Sequence, residues 1–274
     1  MKIAILADIH SNYAALQAVA DHIERWQPDH VIVGGDVVNR GPRPRECLEF
    51  VQNKVQTQGW QCVIGNHEEY VISHSKPEAL RSGPRFEINR TSFWTYQQLD
   101  CDVTTIAAWP FQRSLYFGAD ELRCVHASMR GTRDGVHPET SDADLRQKIV
   151  PAPRVFVVGH THRPLVRHID QTLVVNVGSV GLPFDGDVRA GYGQVTLEAG
   201  QWHADLIRLD YDRAQADRDF ESTGFLDQVG PLADLIRDEF RRAKSNLFEW
   251  SNQYEAAVLA GSISLAESAR RYLA

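Results

Sequence analysis

The sequence predicts an α/β fold with a helical C-terminal extension, and three features of the chain carry this prediction. Short β-branched runs alternate with amphipathic helical stretches from residue 1 to about 210, and several of these runs end in Asp, Asn or His. Beyond about residue 210 the chain is charged and amphipathic, with no β-branched run. Strands that alternate with helices favour a sheet whose carboxyl edge collects the residues that end the strands. We therefore expect a domain over residues 1–210 and a helical extension over residues 211–274 packed on it.

The first half of the chain is predicted to hold three strands and two helices. The strands are expected at residues 3–7, 31–33 and 61–64. Ser11 and Asn12 favour a helix start, and the helix that follows has one apolar face, formed by Leu16, Val19, Ala20, Ile23 and Trp26. A second helix, from about residue 44 to residue 56, is expected to bury Cys47, Leu48, Val51 and Val55.

The second half is predicted to begin with strands and to end with helices. Strands are expected at residues 122–125, 155–158 and 173–177, and a hairpin joins 194–197 to 202–209 through Ala199-Gly200. The tail is predicted to form two to four helices, separated near Gly224, Gly230-Pro231 and Gly261. Two sets of apolar residues share faces in it: Leu232, Leu235, Ile236 and Phe240, and Leu247, Trp250 and Tyr254. We expect the tail to cap the main domain, and a homodimer contact or a partner surface is the alternative.

The composition excludes several classes of protein. Hydrophobic residues make up 43% of the 274 and charged residues 24%, which excludes disordered, collagen-like and disulfide-scaffold proteins. The net charge of −7 argues against an extended positive surface for nucleic acid. The four cysteines form no CxxC pair, so we expect reduced thiols and no thiolate zinc site. No stretch is apolar enough for a signal-peptide core or a membrane span, so we expect a cytoplasmic protein with no membrane partner.

Two motifs near the N-terminus place metal-capable residues at predicted strand ends. Asp8-Ile9-His10 has an i, i+2 spacing, which in an extended segment points both side chains to one side, as two ligands of one ion require. In Gly34-Gly35-Asp36-Val37-Val38-Asn39-Arg40-Gly41, a carboxylate that can bridge two cations is followed by an arginine that can bind an anion bidentately. Each motif alone has a simpler explanation, a helix-capping Asp beside a surface His or an Asx turn beside a solvated Arg.

Three further motifs add an amide and several imidazoles. Gly65-Asn66-His67-Glu68 ends a strand in an amide oxygen, a neutral ligand that suits a site already holding two carboxylates. His126 follows the predicted strand 122–125. In Gly159-His160-Thr161-His162 the HxH spacing is expected to put two imidazoles, which are common ligands of Zn, Fe and Mn, on one side of an extended segment. Alone, a turn stabilised by Asn66 and a core histidine at position 126 are the simpler explanations.

Together the five motifs resemble those of the calcineurin-like metallophosphoesterases, and the resemblance spans about residues 1 to 210. More than a dozen positions match in order, and average composition does not supply such a set by chance. The segments Asp8-Ile9-His10-Ser11-Asn12 and Asn176-Val177-Gly178-Ser179-Val180-Gly181 are most similar to small bacterial and archaeal phosphodiesterases. The GDVVNRGP and GNHE segments are also similar to protein serine/threonine phosphatases and diadenosine tetraphosphate hydrolases.

The resemblance implies a fold and a site beyond what the alternation of strands and helices predicts. The implied fold is a four-layer α/β/β/α sandwich of two mixed sheets. The implied site is binuclear, with one divalent ion held by Asp8, His10, Asp36 and His162, and a second held by Asp36, Asn66, His126 and His160. Mn, Fe, Ni and Zn all suit Asp, Asn and His ligands, so the sequence does not select the metal. The resemblance also implies that Arg40 binds a phosphoryl oxygen and that His67 protonates or stabilises the leaving oxygen.

The function expected from these features is metal-dependent hydrolysis of phosphodiester or phosphomonoester bonds in small molecules or nucleotides. A site with two cations stays positive despite its two carboxylates, so it attracts a phosphate ester within an otherwise acidic protein. Two alternatives stay open: a protein phosphatase or dinucleoside polyphosphatase, and a non-catalytic interaction module, because a retromer subunit has this fold with altered ligands.

Two positions depart from the related patterns. Asn39 stands where protein phosphatases have Asp, which removes a charge near the site, and Val177 stands where the small phosphodiesterases usually have Pro.

Overall fold

Ten strands form two mixed sheets of five strands each in a computed structural model that describes all 274 residues. The strands are β1 (Lys2–Leu6), β2 (His30–Val33), β3 (Gln61–Cys62), β4 (Gln112–Phe117), β5 (Asp120–Val125), β6 (Val155–Val158), β7 (Leu165–Ile169), β8 (Thr172–Asn176), β9 (Ala190–Glu198) and β10 (Gln201–Leu209). The first sheet has the order β10-β9-β1-β2-β3 and the second β4-β5-β6-β8-β7. Each sheet has two parallel pairs, β1–β2 and β2–β3 in the first and β5–β6 and β6–β8 in the second, and its other two pairs are antiparallel.

Thirteen α-helices flank the sheets or follow them. Those within the first 210 residues are α1 (Tyr13–Trp26), α2 (Pro44–Gln58), α3 (Asn66–Ser73), α4 (Pro84–Ile88), α5 (Arg90–Gln98), α6 (Thr104–Ala107) and α7 (Asp142–Lys148). Those of the tail are α8 (Arg213–Ser222), α9 (Phe225–Val229), α10 (Ala233–Arg242), α11 (Asn246–Trp250), α12 (Ala256–Leu259) and α13 (Leu265–Leu273), with a π-helical turn, Ser251–Glu255, joining α11 to α12.

The alternation of side chains along β1 explains the layers. Ile3 and Ile5 point into an apolar core between the two sheets, where they meet Cys124 and Val157 of the second sheet. Ala4 and Leu6 lie on the other side of β1, against helices α1 and α2. On the far face of the second sheet, residues of β5, β6 and β8 pack against α7. The predicted four-layer α/β/β/α arrangement is therefore confirmed.

Most predicted elements are present, and the differences have local causes. The strand at 155–158 is confirmed. The hairpin through Ala199-Gly200 is also confirmed, and Ala199 and Gly200 both have positive φ, as a two-residue hairpin turn requires. Strands β4 and β7 were not predicted, because they are edge strands whose polar and apolar residues do not alternate cleanly. The expectation that Val55 is buried is wrong: it is exposed, since the last turns of α2 extend past the core.

The helical tail packs on the main body with more breaks than predicted. Gly224, Gly230 and Gly261 do separate helices, each with positive φ. A further break lies at Ala243, a left-handed residue that carries no glycine signal, so the prediction of two to four helices is wrong. The apolar faces of the tail are buried within this chain, where Phe220, Phe225, Ile236 and Phe240 pack with Trp94 and Leu182.

None of these helices is both long and apolar enough to cross a membrane. All four cysteines are free thiols, three of them buried.

Candidate metal centre

The seven predicted metal-binding side chains converge at the carboxyl ends of parallel strands. The loops after β1, β2, β5 and β6 supply Asp8, Asp36, His126 and His160 respectively, and Asn66 opens helix α3 just beyond β3. Because both sheets present the same end to one crevice, residues far apart in the chain become neighbours there. All seven are buried except His160, which is partly exposed.

The first group contains Asp8, His10, Asp36 and His162, whose ligand atoms lie within 4.8 Å of one another. The Nδ1 atoms of His10 and His162 face the carbonyl oxygens of Asn39 and Leu182, so each Nδ1 carries the proton and each Nε2 presents a lone pair. These two Nε2 atoms face each other at 3.1 Å, and Asp8 Oδ1 lies 3.3 Å from that of His162. Acceptors converging in this way repel one another unless a cation or a proton lies between them.

The second group contains Asp36, His126 and His160, joined by Asn66. His126 Nδ1 donates to Gly34 O at 2.8 Å, which leaves its Nε2 as an acceptor. That Nε2 faces Asn66 Oδ1 at 3.0 Å and Asp36 Oδ2 at 3.2 Å, and His160 Nδ1 lies 2.8 Å from Asn66 Oδ1. Asp36 belongs to both groups, so it is placed to bridge two cations.

Two carboxylate oxygens test whether metal ions fit these groups. Asp8 Oδ1 and Asp36 Oδ2 are buried and have no hydrogen-bond donor in the protein. A buried carboxylate oxygen without a partner costs several kcal/mol, on the order of the penalty for an unpaired buried charge. Carboxylate, amide and imidazole together form a donor set that suits first-row divalent metals. The residues therefore fit two divalent ions, and the groups coincide with the two ligand sets that the resemblance implies; the ligand role itself stays a prediction.

The pKa values of the site describe its charge when no cation is bound. Burial lowers the pKa of His10 well below its ordinary value and that of His160 to about 3. Burial acts in the same sense on His126, but the Asp36 carboxylate outweighs it and raises the pKa of His126 to about 10. Burial likewise acts to raise the pKa of Asp36, yet the neighbouring imidazoles, His126 first, hold it well below its ordinary value. Without a cation, a proton on His126 Nε2 would therefore compensate Asp36 in place of the ion, while His10 and His160 stay neutral.

The backbone of the site is unusual. Five of the seven residues lie in the left-handed region, with φ between 47° and 66°: Asp8, His10, Asp36, His160 and His162. Each such conformation costs about 1–3 kcal/mol in a residue other than glycine, and clusters of them mark functional sites. The expected extended backbone is wrong for both pairs, because left-handed residues turn the chain there. Asp8 and His10 still converge on the first group, as expected, whereas His160 and His162 separate, His160 to the second group and His162 to the first.

Two motif glycines are explained by close approach to the carboxylates. A Cβ on Gly65 would lie 2.1 Å from Asp36 Oδ1, and one on Gly159 would lie 2.3 Å from Asp8 Oδ2. No side chain fits at such distances without moving the carboxylate. Gly65 and Gly159 therefore allow their loops to pass directly against Asp36 and Asp8, respectively.

Arg40 and His67 lie beside the two groups, as predicted. His67 Nδ1 is 2.8 Å from the Asn39 side-chain nitrogen, while Asn39 Oδ1 accepts from the Arg40 N–H at 2.9 Å. This second bond fixes the amide orientation, so Asn39 donates to Nδ1 and the His67 proton lies on Nε2. His67 Nε2 has no partner in the protein, and burial lowers the pKa of His67 well below its ordinary value. His67 is thus a neutral imidazole with a free N–H donor.

A cleft of about 410 Å³ opens from Arg40 and His67. Its opposite wall comes from the tail, where Leu247, Phe248 and Trp250 of α11 line it. Phe248 is 66% exposed, which leaves an aromatic face available to a ligand. The C-terminal helices therefore line the cleft that opens at Arg40 and His67, beside the candidate metal centre.

Three supporting residues were not assigned a role from the sequence. Glu68 is fully buried, and its carboxylate accepts four backbone N–H groups, those of Asp36, Val37, Val38 and Gly65. It ties the loop after β2 to the start of α3, and its spacing from Gly65 is that of a capping box, which is a usable signal. Asn176 donates to Gly159 O and Thr161 Oγ1, and Ser179 donates to Asp8 O.

The departure at Val177 also has a structural consequence. The Val177 N–H donates to Val158 O at 2.9 Å and extends the pairing of β8 with β6. A proline has no N–H and could not make this bond.

The comparisons with known proteins place the chain in a family. Residues 1–200 match the model of the calcineurin-like phosphoesterase superfamily domain. An uncharacterized protein of Methanocaldococcus jannaschii is 24% identical over 233 residues, which cover 78% of this chain and 89% of that protein. The fold is similar to a metallophosphoesterase from Sphaerobacter thermophilus (TM-score 0.67, 26% identity, 89% of this chain and 100% of that one). It is also similar to a hypothetical protein from Pyrococcus horikoshii (TM-score 0.72, 21% identity, 85% of this chain and 97% of that one). The chain therefore belongs to the calcineurin-like phosphoesterase superfamily.

Proposed function

We propose that this protein is a binuclear metal-dependent phosphoesterase that hydrolyses phosphodiester or phosphomonoester bonds of small molecules or nucleotides. The observation that carries the proposal is the pair of acceptor groups that share Asp36 and lie beside Arg40 and His67. The family model supports hydrolysis of phosphate esters in general. Mn, Fe, Ni and Zn are the candidate metals.

In this proposal one ion is held by Asp8, His10, Asp36 and His162 and the other by Asp36, Asn66, His126 and His160, and the proximity of these side chains supports it. When bound, two divalent cations supply Lewis-acid activation of the phosphoryl group and of the attacking water. The protein's own contribution is to hold the ligands at the end of rigid strands and to leave both orphaned carboxylate oxygens facing inward.

Arg40 binds the substrate phosphate. Its guanidinium makes no hydrogen bond within the protein, so the N–H donors that face the cleft are free to engage phosphoryl oxygens bidentately. Its side chain is 20% exposed and lines the cleft. The role of Arg40 is to orient the ester and to balance charge that develops on the phosphoryl oxygens.

His67 assists the leaving group. Asn39 holds its Nδ1, so the free Nε2–H donates a hydrogen bond toward the cleft, where the leaving oxygen would lie. A neutral imidazole is a weaker acid than imidazolium, so we expect the enzyme to prefer esters with good leaving groups, such as aryl esters or nucleotide anhydrides.

The shape of the cleft favours small substrates over the alternatives. Helix α11 walls the cleft opposite His67, which leaves about 410 Å³, a volume typical of small-molecule sites. A protein phosphatase needs an open approach for a polypeptide. A non-catalytic interaction module has no need of a complete ligand set, an anion-binding Arg and a proton donor together.

The remaining elements of the proposal concern organisation. We place the catalytic domain at residues 1–210 and regard residues 211–274 as a helical extension that completes the cleft. The four free thiols accord with a cytoplasmic location. The tail helices bury their apolar faces inside the chain, so dimerisation through them stays a prediction, to be measured by light scattering.

Metal analysis combined with an activity screen tests the proposal. Asp36→Asn should lower the metal content from about two ions to one or none and abolish hydrolysis of bis-p-nitrophenyl phosphate and p-nitrophenyl phosphate, because the bridge loses its charge. The matched control is Asp205→Asn on β10, an exposed acid that makes no ion pair. Full metal occupancy with a near-normal rate in Asp36→Asn would refute the binuclear assignment.

A further inference from the structure

Glu239 of α10 is a fully buried carboxylate in the tail, next to the predicted phosphate-binding arginine. Its Oε1 accepts the backbone N–H of Leu247, the second residue of α11, at 2.7 Å. Its Oε2 is buried without any hydrogen-bond donor and lies 3.7 Å from Arg40 Nη1. One carboxyl group thus touches both the wall of the cleft and the arginine of the main domain.

The pairing is exclusive on both sides. Arg40 is the only cation within 4.0 Å of the Glu239 carboxylate, and Arg40 makes no other ion pair. A buried carboxylate is costly unless a cation compensates it, so Glu239 constrains where the guanidinium lies. The distance is too long for a hydrogen bond, which leaves the Arg40 N–H groups unused and available to a substrate.

We propose that Glu239 is a positioning residue, which holds the Arg40 guanidinium at the phosphate site and fastens α11 as the wall of the substrate cleft. This inference rests on the proposed function. Arg40 stands on a loop in a left-handed backbone conformation, and a long side chain loses rotamer freedom when it binds an anion. Orienting the guanidinium before the substrate arrives removes part of that entropic cost. The tail thereby becomes part of the active site.

Two simpler accounts make different predictions. If Glu239 only repels anions, Glu239→Gln should bind phosphate more tightly, because a negative charge leaves the site. If Glu239 only supports the tail through Leu247, Glu239→Gln should behave as wild type, because the Gln carbonyl oxygen still accepts that N–H.

A double-mutant cycle between Glu239→Gln and Arg40→Ala tests the proposal on the full-length, metal-loaded protein. We expect Glu239→Gln alone to weaken inorganic phosphate binding and to lower kcat/KM about tenfold, mainly through KM, and to have no further effect in the Arg40→Ala background. Asp234→Asn is the control, since this exposed acid of the same helix makes no ion pair and no contact with α11, and the change should leave both quantities unaltered. Equal losses in both backgrounds, tighter phosphate binding, or no change would each overturn the role of Glu239.

Thermal unfolding supplies a readout that needs no substrate. Arg40→Ala leaves the Glu239 carboxylate buried without its cation, so it should lower the Tm, and adding Glu239→Gln should raise the Tm again by about 3–5 °C. If Glu239→Gln does not fold, Glu239→Asp replaces it in the cycle, since it keeps the charge but draws it back from Arg40. If the wild type binds no metal and hydrolyses no ester, the proposed function fails, whereas the phosphate titration and the Tm cycle, run on the metal-free full-length protein, still decide the role of Glu239.

Discussion

Gly65 offers the sharpest test of how the site is built, because the distance from the space beside its Cα to the Asp36 carboxylate sets what one added methyl group would do to the site. In Gly65→Ala the new Cβ would lie 2.1 Å from Asp36 Oδ1 and 2.6 Å from the Asp36 backbone N. Ordinary contact begins at 3.4 Å, so the Cβ and the carboxylate oxygen must separate by about 1.3 Å. The backbone of Gly65 is extended, with φ of −105°, so alanine brings no conformational strain of its own.

The consequence should be large for the metal site and moderate for stability. Asp36 belongs to both acceptor groups, so a shift of about 1 Å disturbs both ions and should lower kcat/KM about 10²-fold or more. Overpacking should cost about 1–3 kcal/mol of unfolding free energy. The assays are metal content by mass spectrometry, hydrolysis of bis-p-nitrophenyl phosphate, and urea unfolding.

Gly118→Ala is the matched control for this experiment. Gly118 lies between β4 and β5 with φ of 64°, and a Cβ there meets no atom within 4 Å. The substitution should cost about 1–2 kcal/mol through left-handed strain while both metals and the activity are kept. If Gly65→Ala retained two metals and kcat/KM within about threefold of wild type, the close packing of the loop against Asp36 would not be needed for the site.

Three further predictions concern the acid, its partner and a remote histidine. His67→Ala should keep both metals and slow turnover about 10²- to 10⁴-fold; loss of metal in that variant would make His67 a ligand instead. Asn39→Asp replaces the amide that donates to His67 Nδ1 with a carboxylate that favours the imidazolium form of His67. Hydrolysis of an alkyl ester should therefore speed up more than hydrolysis of an aryl ester. An equal effect on both esters would show that Asn39 does not tune His67. His74 is buried with its Nε2 against Ser92 Oγ, and burial, aided by the charge of Arg81, lowers the pKa of His74 to about 4. Because the unfolded chain binds this proton near pH 6.5, the free energy of unfolding should fall by up to about 3 kcal/mol as the pH drops from about 6.5 to 4. Urea unfolding of wild type and His74→Gln measures this fall. If the free energy of unfolding changed with pH equally in both proteins, the prediction would be wrong.

The sequence by itself determined the class of fold and which side chains meet at the candidate site. Side chains such as Asp36 and His126 follow β-branched runs directly, and this local pattern is visible without any structure because parallel strands end at a common edge. The family resemblance added the four-layer sandwich, which the paired sheets confirm. Strands β4 and β7 escaped prediction because their residue types do not follow their burial: in β7 the apolar Val166 is exposed, whereas the charged Arg167 is partly buried.

Tertiary structure alone decided how the site residues are aimed and supported. The extended geometry expected for Asp8 and His10 gives way to left-handed turns, which are strained locally and persist only because surrounding contacts such as Ser179 Oγ to Asp8 O hold them. The contact of Arg40 with Glu239 joins residues 199 positions apart, and nothing in either local sequence signals it. Secondary-structure propensity and hydrophobic periodicity depend on residues close together in the sequence. A buried ion pair such as Arg40 with Glu239 depends on proximity in the folded chain, which exists only after the tail has packed onto the sandwich.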